Sequence, residues 1–408
     1  MGIIHIKKII GKIPGVKTCY HLIYYNVFKR YRRVYVSPLN TSALSDEFEK
    51  TKLIESIETQ CYSPESDQMT GQKTGKVVLG PVYRINLKKA TVIGGSNIIL
   101  KDNRAFYNHN IGENVNYSDN AFHDYSETYK LGRNKIYLSS MQRIKIENGI
   151  SFCINYNFNY YHFVLECLSK FQLLEMSDID ISWPIIIDKT ARDIPQFQEL
   201  LGIFNKTKRK IIYVDRLQQV EVEDLFIFTP IHYLPANYLD IYSISCKDVA
   251  FNRSNILFLR KTIMDSIGAD LTEHPCHNKI FISRHNFKRR SYNNDEIQAS
   301  LEAYGYATVY PEKLTFTEQV KVFHNAECII AASGAALTNI IFCRPKTKIY
   351  VLTNVYLDLS IFSTIAKYLD LDMTYIIADS TESKELHSSF HIDANNLSSL
   401  LKANQTNI

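Results

Sequence analysis

An α/β fold of two parallel-sheet domains facing a cleft, with an additional strand-rich N-terminal part, is the fold class this sequence predicts. Three observations predict it. Short apolar runs alternate with helical patterns over residues 159–214 and again over 279–377, the rhythm of parallel strands flanked by helices. Residues 77–150 instead show short β-type runs separated by Asn- and Gly-containing turns. The chain has 408 residues, which at roughly 150 residues per domain is two or three cores. With 45% hydrophobic and 22% charged residues, disordered, collagen-like and coiled-coil classes are excluded.

The chain opens on a basic segment, residues 1–36. It holds Lys7, Lys8, Lys12, Lys17, Lys29, Arg30, Arg32 and Arg33 and no acid, while the whole chain carries only +5, so the remainder is net acidic. Wound as a helix, Ile3, Ile6, Ile9, Ile10 and Ile13 share one stripe with the lysines outside it, and Pro14-Gly15 ends the turn. Such a stripe suits an anionic membrane surface or the protein's own core equally well. Basic residues are not interleaved with a nucleic-acid module, so no nucleic acid partner is expected. The lysines break up any signal-peptide core and no window approaches 18 apolar residues, so the expected location is cytoplasmic, with peripheral contact to the inner face of the membrane.

Residues 40–75, rich in Ser, Thr, Glu and Gln, read as a loose connector with one short helix. Strand-type runs follow at 76–79, 91–93, 97–100 and 135–138. From residue 159 come a helical run to about 175, a buried strand at 184–188, a helix at 196–201 and a strand at 210–214. Residues 255–277 carry no strong pattern beyond a helix start and read as a linker. Then strands at 279–283, 306–310, 327–332, 348–352 and 373–377 alternate with helices at 294–304, 317–325, 335–342 and 358–369, a doubly wound domain. The expected divisions are therefore residues 1–36, 37–254, 277–380 and a C-terminal helix or tail at 381–408.

Three constellations carry chemistry. In Asn159-Tyr160-Tyr161-His162-Phe163-Val164-Leu165-Glu166, a helix puts His162 and Glu166 one turn apart on one face, away from the stripe of Val164, Cys167, Leu168, Phe171 and Leu174. A carboxylate at i+4 can hold an imidazole in one tautomer and prepare it as a general base; a plain surface pair is the simpler alternative. Ile282-Ser283-Arg284 with Lys288, Arg289 and Arg290 places cations just past a buried strand, where α/β sheets receive ligands, and arginine's planar fork suits a diphosphate. Ser333-Gly334-Ala335-Ala336-Leu337-Thr338-Asn339 turns a buried strand into a helix with small side chains, letting phosphate oxygens approach the first N–H groups; tight strand–helix packing would use the same residues.

Metal ligation is not expected. Asp178-Ile-Asp180 lies in a connector, and His274, Cys276 and His277 lack a second ligand pair at zinc spacing. The eight cysteines contain no C-x-x-C and read as reduced thiols.

In this order the three constellations resemble glycosyltransferase family 61, over about residues 150–355. The family's Asn-x-x-His-aromatic-x-x-acid element is similar to Asn159 through Glu166, and its Ile-Ser-Arg element with following basic residues and an Asn-acid pair is similar to Ile282 through Glu296. Its Pro-Glu-x-Leu run ending in Gln is similar to Pro311 through Gln319, and its His-Gly-Ala-x-Leu-Thr-Asn element to Ser333 through Asn339. Two positions depart: Ser333 stands where the family has His, and Val351 where an acid is common.

The resemblance implies two Rossmann-like domains of GT-B type and inverting sugar transfer from a nucleotide-diphosphate sugar, without cofactor or metal. The acceptor it implies is a hydroxyl of a growing polysaccharide or glycolipid, in a bacterial capsule type of synthesis. His162 and Glu166 would be catalytic, and Asn159 and Tyr161 acceptor-side. Ser283, Arg284, Lys288, Arg289, Ser333, Gly334, Ala335, Thr338 and Asn339 would hold the donor. A catalytically inactive glycan- or nucleotide-binding protein of the same fold is the alternative class.

Overall fold

The computed structural model describes residues 48–68, 71–102, 104–106, 143–234, 244–268, 271, 277–283, 291–354, 359–378, 388–394 and 397. Of the flanking strands at 31–40, 107–109, 129–130, 135–139 and 380–381 it describes the backbone. Residues 1–30, His274 and Cys276 of the triplet weighed for metal ligation, and the cations Arg284, Lys288, Arg289 and Arg290 lie outside the described residues.

The C-terminal sheet has five strands, all parallel, in the spatial order Ala307–Val309, Lys279–Ile282, Cys328–Ala332, Lys348–Thr353, Asp372–Ile377. In chain order that is 2-1-3-4-5, a doubly wound arrangement whose direction reverses between the Lys279–Ile282 and Cys328–Ala332 strands. Both faces are covered, which is why these strands read as unbroken apolar runs. Ile280, Ile282, Ile329, Ala331, Ile349 and Val351 point into one core, and Phe281, Ile330, Ala332, Tyr350 and Leu352 into another. Three of the connecting elements are the α-helices Asn294–Ala303, Phe316–Asn325 and Ile361–Tyr368. The fourth, Ala335–Phe342, is a 3-10 helix where an α-helix was expected.

Eleven strands of the N-terminal half form one continuous mixed sheet among the described residues, with Ile57–Tyr62 and Thr74–Leu79 paired apart from it as a two-stranded sheet. Ile211–Val214, Ile185–Asp188, Arg143–Ser151 and Gln219–Phe228 lie side by side and parallel, and Val82–Ile93 joins the last of them antiparallel. The sheet continues through Ile99–Lys101, Arg104–His109, Tyr31–Asn40 and Lys135–Ser139. The strand-rich part and the α/β part, both within the expected 37–254 division, are hydrogen-bonded into one another. Residue 36, the expected end of the basic segment, falls inside the Tyr31–Asn40 strand.

Two further expectations are corrected. Residues 40–75 contain the strands Glu49–Ile54 and Ile57–Tyr62 rather than a loose connector with a helix. Their polar composition hid a period of two: Thr59 and Cys61 are buried while Glu58 and Gln60 are exposed. The linker at 255–277 begins as a 15-residue α-helix, Arg253–Ile267, capped by the Asn252 side chain. Ile256, Leu259 and Ile263 give it a narrow buried stripe under an otherwise polar sequence.

The two halves do not close on separate cores. Phe152, Phe163, Phe171, Phe197 and Ile256 belong to the same apolar cluster as Ile280, Phe316, Ile329 and Phe342. Polar ties reinforce that shared core. Glu199, on the N-terminal-half helix Pro195–Phe204, accepts from the N–H groups of Phe316 (3.1 Å) and Thr317 (3.4 Å). Those are the first donors of the Phe316–Asn325 helix, where negative charge also meets the positive end of the helix dipole. Gln196 donates to the Leu314 carbonyl at 2.8 Å. No helix among the described residues is long and apolar enough to cross a membrane.

Candidate functional site

Asn159 starts the first constellation as an N-cap, its side chain accepting the Tyr161 N–H at 3.0 Å. The turn it caps, Tyr160–His162, passes into a π-helix, Phe163–Cys167, closed by the Leu168 N–H on the Phe163 carbonyl at 3.0 Å. An α-helix was expected here; the wider turn buries Phe163, Val164, Leu165 and Cys167 together. Single π-turns inside helices occur frequently at functional sites.

His162 and Glu166 keep their partnership through this turn. Nδ1–H of His162 donates to the Glu166 carboxylate, with the side chains 18% and 29% exposed. With Nδ1 carrying the proton, Nε2 holds the lone pair, the arrangement a general base needs. Two rings frame the imidazole. Tyr156 stacks on it at 4.9 Å and 22°, and Tyr161 meets it edge-on at 5.0 Å and 85°. Tyr161 is itself buried against Phe362, and burial followed by the Glu166 charge pushes its phenol well above the usual range.

Tyr160 reaches the other way. Its hydroxyl, kept protonated by burial, donates to Asn339 Oδ1; Asn339 Nδ2 donates to Gln319 Oε1 at 3.0 Å; and Gln319 Nε2 donates to the Pro311 carbonyl at 2.9 Å. This chain of bonds fastens the His162 turn to the C-terminal half. Asn339 is thus fully buried and engaged between the halves, and its neighbour Thr338 is fully buried with no hydroxyl partner among the described residues.

Ser283 and Ser333 follow the adjacent strands Lys279–Ile282 and Cys328–Ala332, so both stand at the point where the sheet order reverses. Ser283 is buried and its hydroxyl donates to Asn294 Oδ1 at 2.9 Å, which Tyr292 also reaches at 3.0 Å. Ser333, Gly334 and Ala335 are half-buried, and the Ala335–Phe342 turn has no side-chain N-cap. Val351 lies inside the Lys348–Thr353 strand, fully buried, so the position where the family carries an acid points into the core.

A cleft of about 560 Å³ opens between the halves. Phe158, Tyr160 and Phe197 line one side, and Ser283, Gln319 and Ala336 the other. Sequence reasoning missed Phe158, 49% exposed at this opening, and Phe197. An aromatic beside the Asn159 cap was the available signal for the first. Tyr160 faces this cleft; at about 100° per residue His162 projects from the turn roughly 200° further round. The structure therefore brings Tyr160, Ser283 and Ala336 to one cavity and sets His162, Glu166 and Tyr156 together on another face of the turn that carries Tyr160, outside the cavity's lining. Among the described residues no group of three His, Cys, Asp or Glu side chains could hold a metal ion.

An α/β protein with a cleft at the reversal point of a doubly wound sheet, and an imidazole–carboxylate pair carried by a turn that helps line it, has the build of a ligand-binding enzyme. The family model described as Glycosyltransferase 61 matches residues 160–350. The match opens on the turn carrying His162 and ends within the Lys348–Thr353 strand, so it takes in both sides of the cleft. The resemblance to glycosyltransferase family 61 is thereby shown over these residues. The activity class it supports is that of a glycosyltransferase, acting on a sugar donor and an acceptor. No curated protein matches the chain.

Proposed function

We propose that this protein is an inverting glycosyltransferase of GT-B arrangement. In this reading it moves a hexosyl or pentosyl group from a nucleotide-diphosphate sugar to a hydroxyl of a growing polysaccharide or glycolipid in capsule or cell-surface glycan synthesis. The observation that carries the reading is the His162–Glu166 pair inside the region matched to the family. In a single displacement, His162 Nε2 takes the acceptor proton while Glu166 holds Nδ1–H and steadies the imidazolium that forms. Asn159 fixes the start of that turn and Tyr161 packs beside the ring, which gives both acceptor-side residues a supporting part.

The leaving diphosphate departs toward the C-terminal half. Arg284, Lys288 and Arg289, following Ser283 in the chain, supply charge, and the N–H groups that open the Ala335–Phe342 turn, which no side chain caps, supply dipoles. Arginine forks and a helix start can carry this charge without a metal ion. Arg284→Ala is expected to weaken nucleoside diphosphate binding about 10- to 150-fold. It removes a charge-assisted bond worth about 1.5–3 kcal/mol. Calorimetry in the presence of EDTA reads this directly, and an unchanged affinity would withdraw Arg284 from the donor site.

Residues 1–36 are proposed to bring the enzyme to the inner face of the cell membrane, where a lipid-linked acceptor resides; the support is their eight cations and the isoleucine stripe. Binding to anionic vesicles should fall as salt rises, because the Debye length shortens to about 8 Å at 0.15 M. Deleting residues 2–13 should abolish that binding and spare activity on a soluble acceptor. A full-length chain that ignores anionic vesicles would remove the membrane from this account.

A further inference from the structure

Asp188 closes the buried strand Ile185–Asp188 and is only 3% exposed. Its two carboxylate oxygens serve different loops: Oδ1 accepts from the Gly95 N–H at 2.6 Å and Oδ2 from the Ile154 N–H at 3.1 Å. The Asn157 side chain also bonds to it, and the Asn157 carbonyl accepts from Thr190 Oγ1 at 3.3 Å, just beyond the same strand end. Between these anchors stands Tyr156, at φ +53°, a left-handed backbone that a tyrosine holds only when its surroundings impose it. The Tyr156 carbonyl accepts the Asn159 N–H at 2.8 Å, and its ring is the one stacked on His162.

We propose that Asp188 is a positioning residue for His162, acting through the 154–157 loop and the Tyr156 ring. The inference rests on the reading of His162 as the base and adds what orients it. Glu166 fixes the ring by one edge only, about the Nδ1–H bond; a ring clamped at one edge can still swing, and the Tyr156 plane stops that swing by covering a face. A buried carboxylate is a costly way to tie two loops. Burial pushes Asp188 up to about 6, against the two backbone donors and the Lys170 charge, which favour its ionised form. Lys170, whose ammonium donates to the carbonyls of Ser151 (3.4 Å) and Cys153 (3.2 Å), is the compensating cation on the neighbouring helix. Cys153 and Cys167, the other titratable groups facing it, are held as neutral thiols by burial.

The test uses the full chain with Asp188→Asn, Tyr156→Ala and Tyr156→Phe, each also in a His162→Ala background. Asp188→Asn and Tyr156→Ala should lower kcat about 10- to 100-fold, the penalty of a displaced catalytic group, with donor KM within two-fold of wild type. Tyr156→Phe should restore kcat. With His162 already absent, neither substitution should lower the remaining rate further. The 15N spectrum of the His162 ring gives a readout that does not depend on its role: Nδ1 protonated in the wild type, mixed tautomers in Asp188→Asn and Tyr156→Ala. If His162→Ala proves fully active, the base reading falls while the ring spectrum still decides whether Asp188 orients His162. Should Asp188→Asn fail to fold, the Tyr156 pair tests the same contacts on a partly exposed ring. An unchanged ring spectrum with unchanged kcat, or equal losses with and without His162, would overturn the proposal.

Discussion

Replacing His162 with alanine is expected to lower turnover about 10²- to 10⁴-fold with affinity for nucleoside diphosphate nearly unchanged. The split follows from the geometry. His162 sits on the N-terminal half, engaged with Glu166 and Tyr156, whereas the strand ends proposed to receive the diphosphate, Ser283 and Ser333, belong to the C-terminal sheet. An imidazole that acts only as the acceptor's proton leaves contributes to the transition state and not to donor binding, so kcat falls and the binding isotherm stays. Folding should be spared as well, since the side chain is part exposed and its principal polar bond goes to another part-exposed side chain. Initial rates with saturating donor, set beside calorimetric titration, distinguish the outcomes. Wild-type turnover in the variant would take His162 out of the mechanism, and a matching loss of donor affinity would mean the turn had moved against the C-terminal half through Tyr160 and Asn339.

The C-terminal sheet was legible because buried parallel strands leave no room for polar alternation: Lys279–Ile282, Cys328–Ala332 and Lys348–Thr353 each announce themselves as an apolar run between turn residues. Gln219–Phe228 was not found, although it is the strand that joins the parallel and antiparallel regions. Its Glu221, Glu223 and Asp224 dilute the apolar signal, and nothing local says that it pairs with residues more than a hundred positions away. The site divides in the same manner. His162 with Glu166 is a local pair at fixed spacing and could be read, whereas Asp188, Glu199 and Gln196 act on partners brought near only by the fold. Asp188 left one trace, a lone carboxylate ending the run Pro184-Ile185-Ile186-Ile187, where the period calls for another apolar residue or a turn.

The residue after His162 should behave in the opposite manner. Phe163→Ala is expected to cost about 3–5 kcal/mol of stability, the range for deleting a large buried ring. Phe163 is 2% exposed and lies parallel to Phe197 with centroids 4.0 Å apart and planes within 1°, inside the core that both halves share. The surroundings have little freedom to collapse onto the void. Phe197 is held by the Pro195–Phe204 helix, whose Gln196 and Glu199 are tied to the C-terminal half, and the backbone at 163 is fixed by the bond from the Leu168 N–H. Phe163→Leu, which keeps most of the side-chain volume, should cost distinctly less. Urea unfolding reads both as shifts in midpoint at constant slope. The cavity would also sit behind the wall of the cleft, because Phe197 presents its other side to that opening. The alanine variant should therefore lose stability first and, where it remains folded, weaken ligands of the cleft more than it slows proton transfer at His162. Equal midpoints for wild type and alanine would mean that the two rings do not share a packed interior, and with it the rigid coupling of the His162 turn to the cleft would have to be given up.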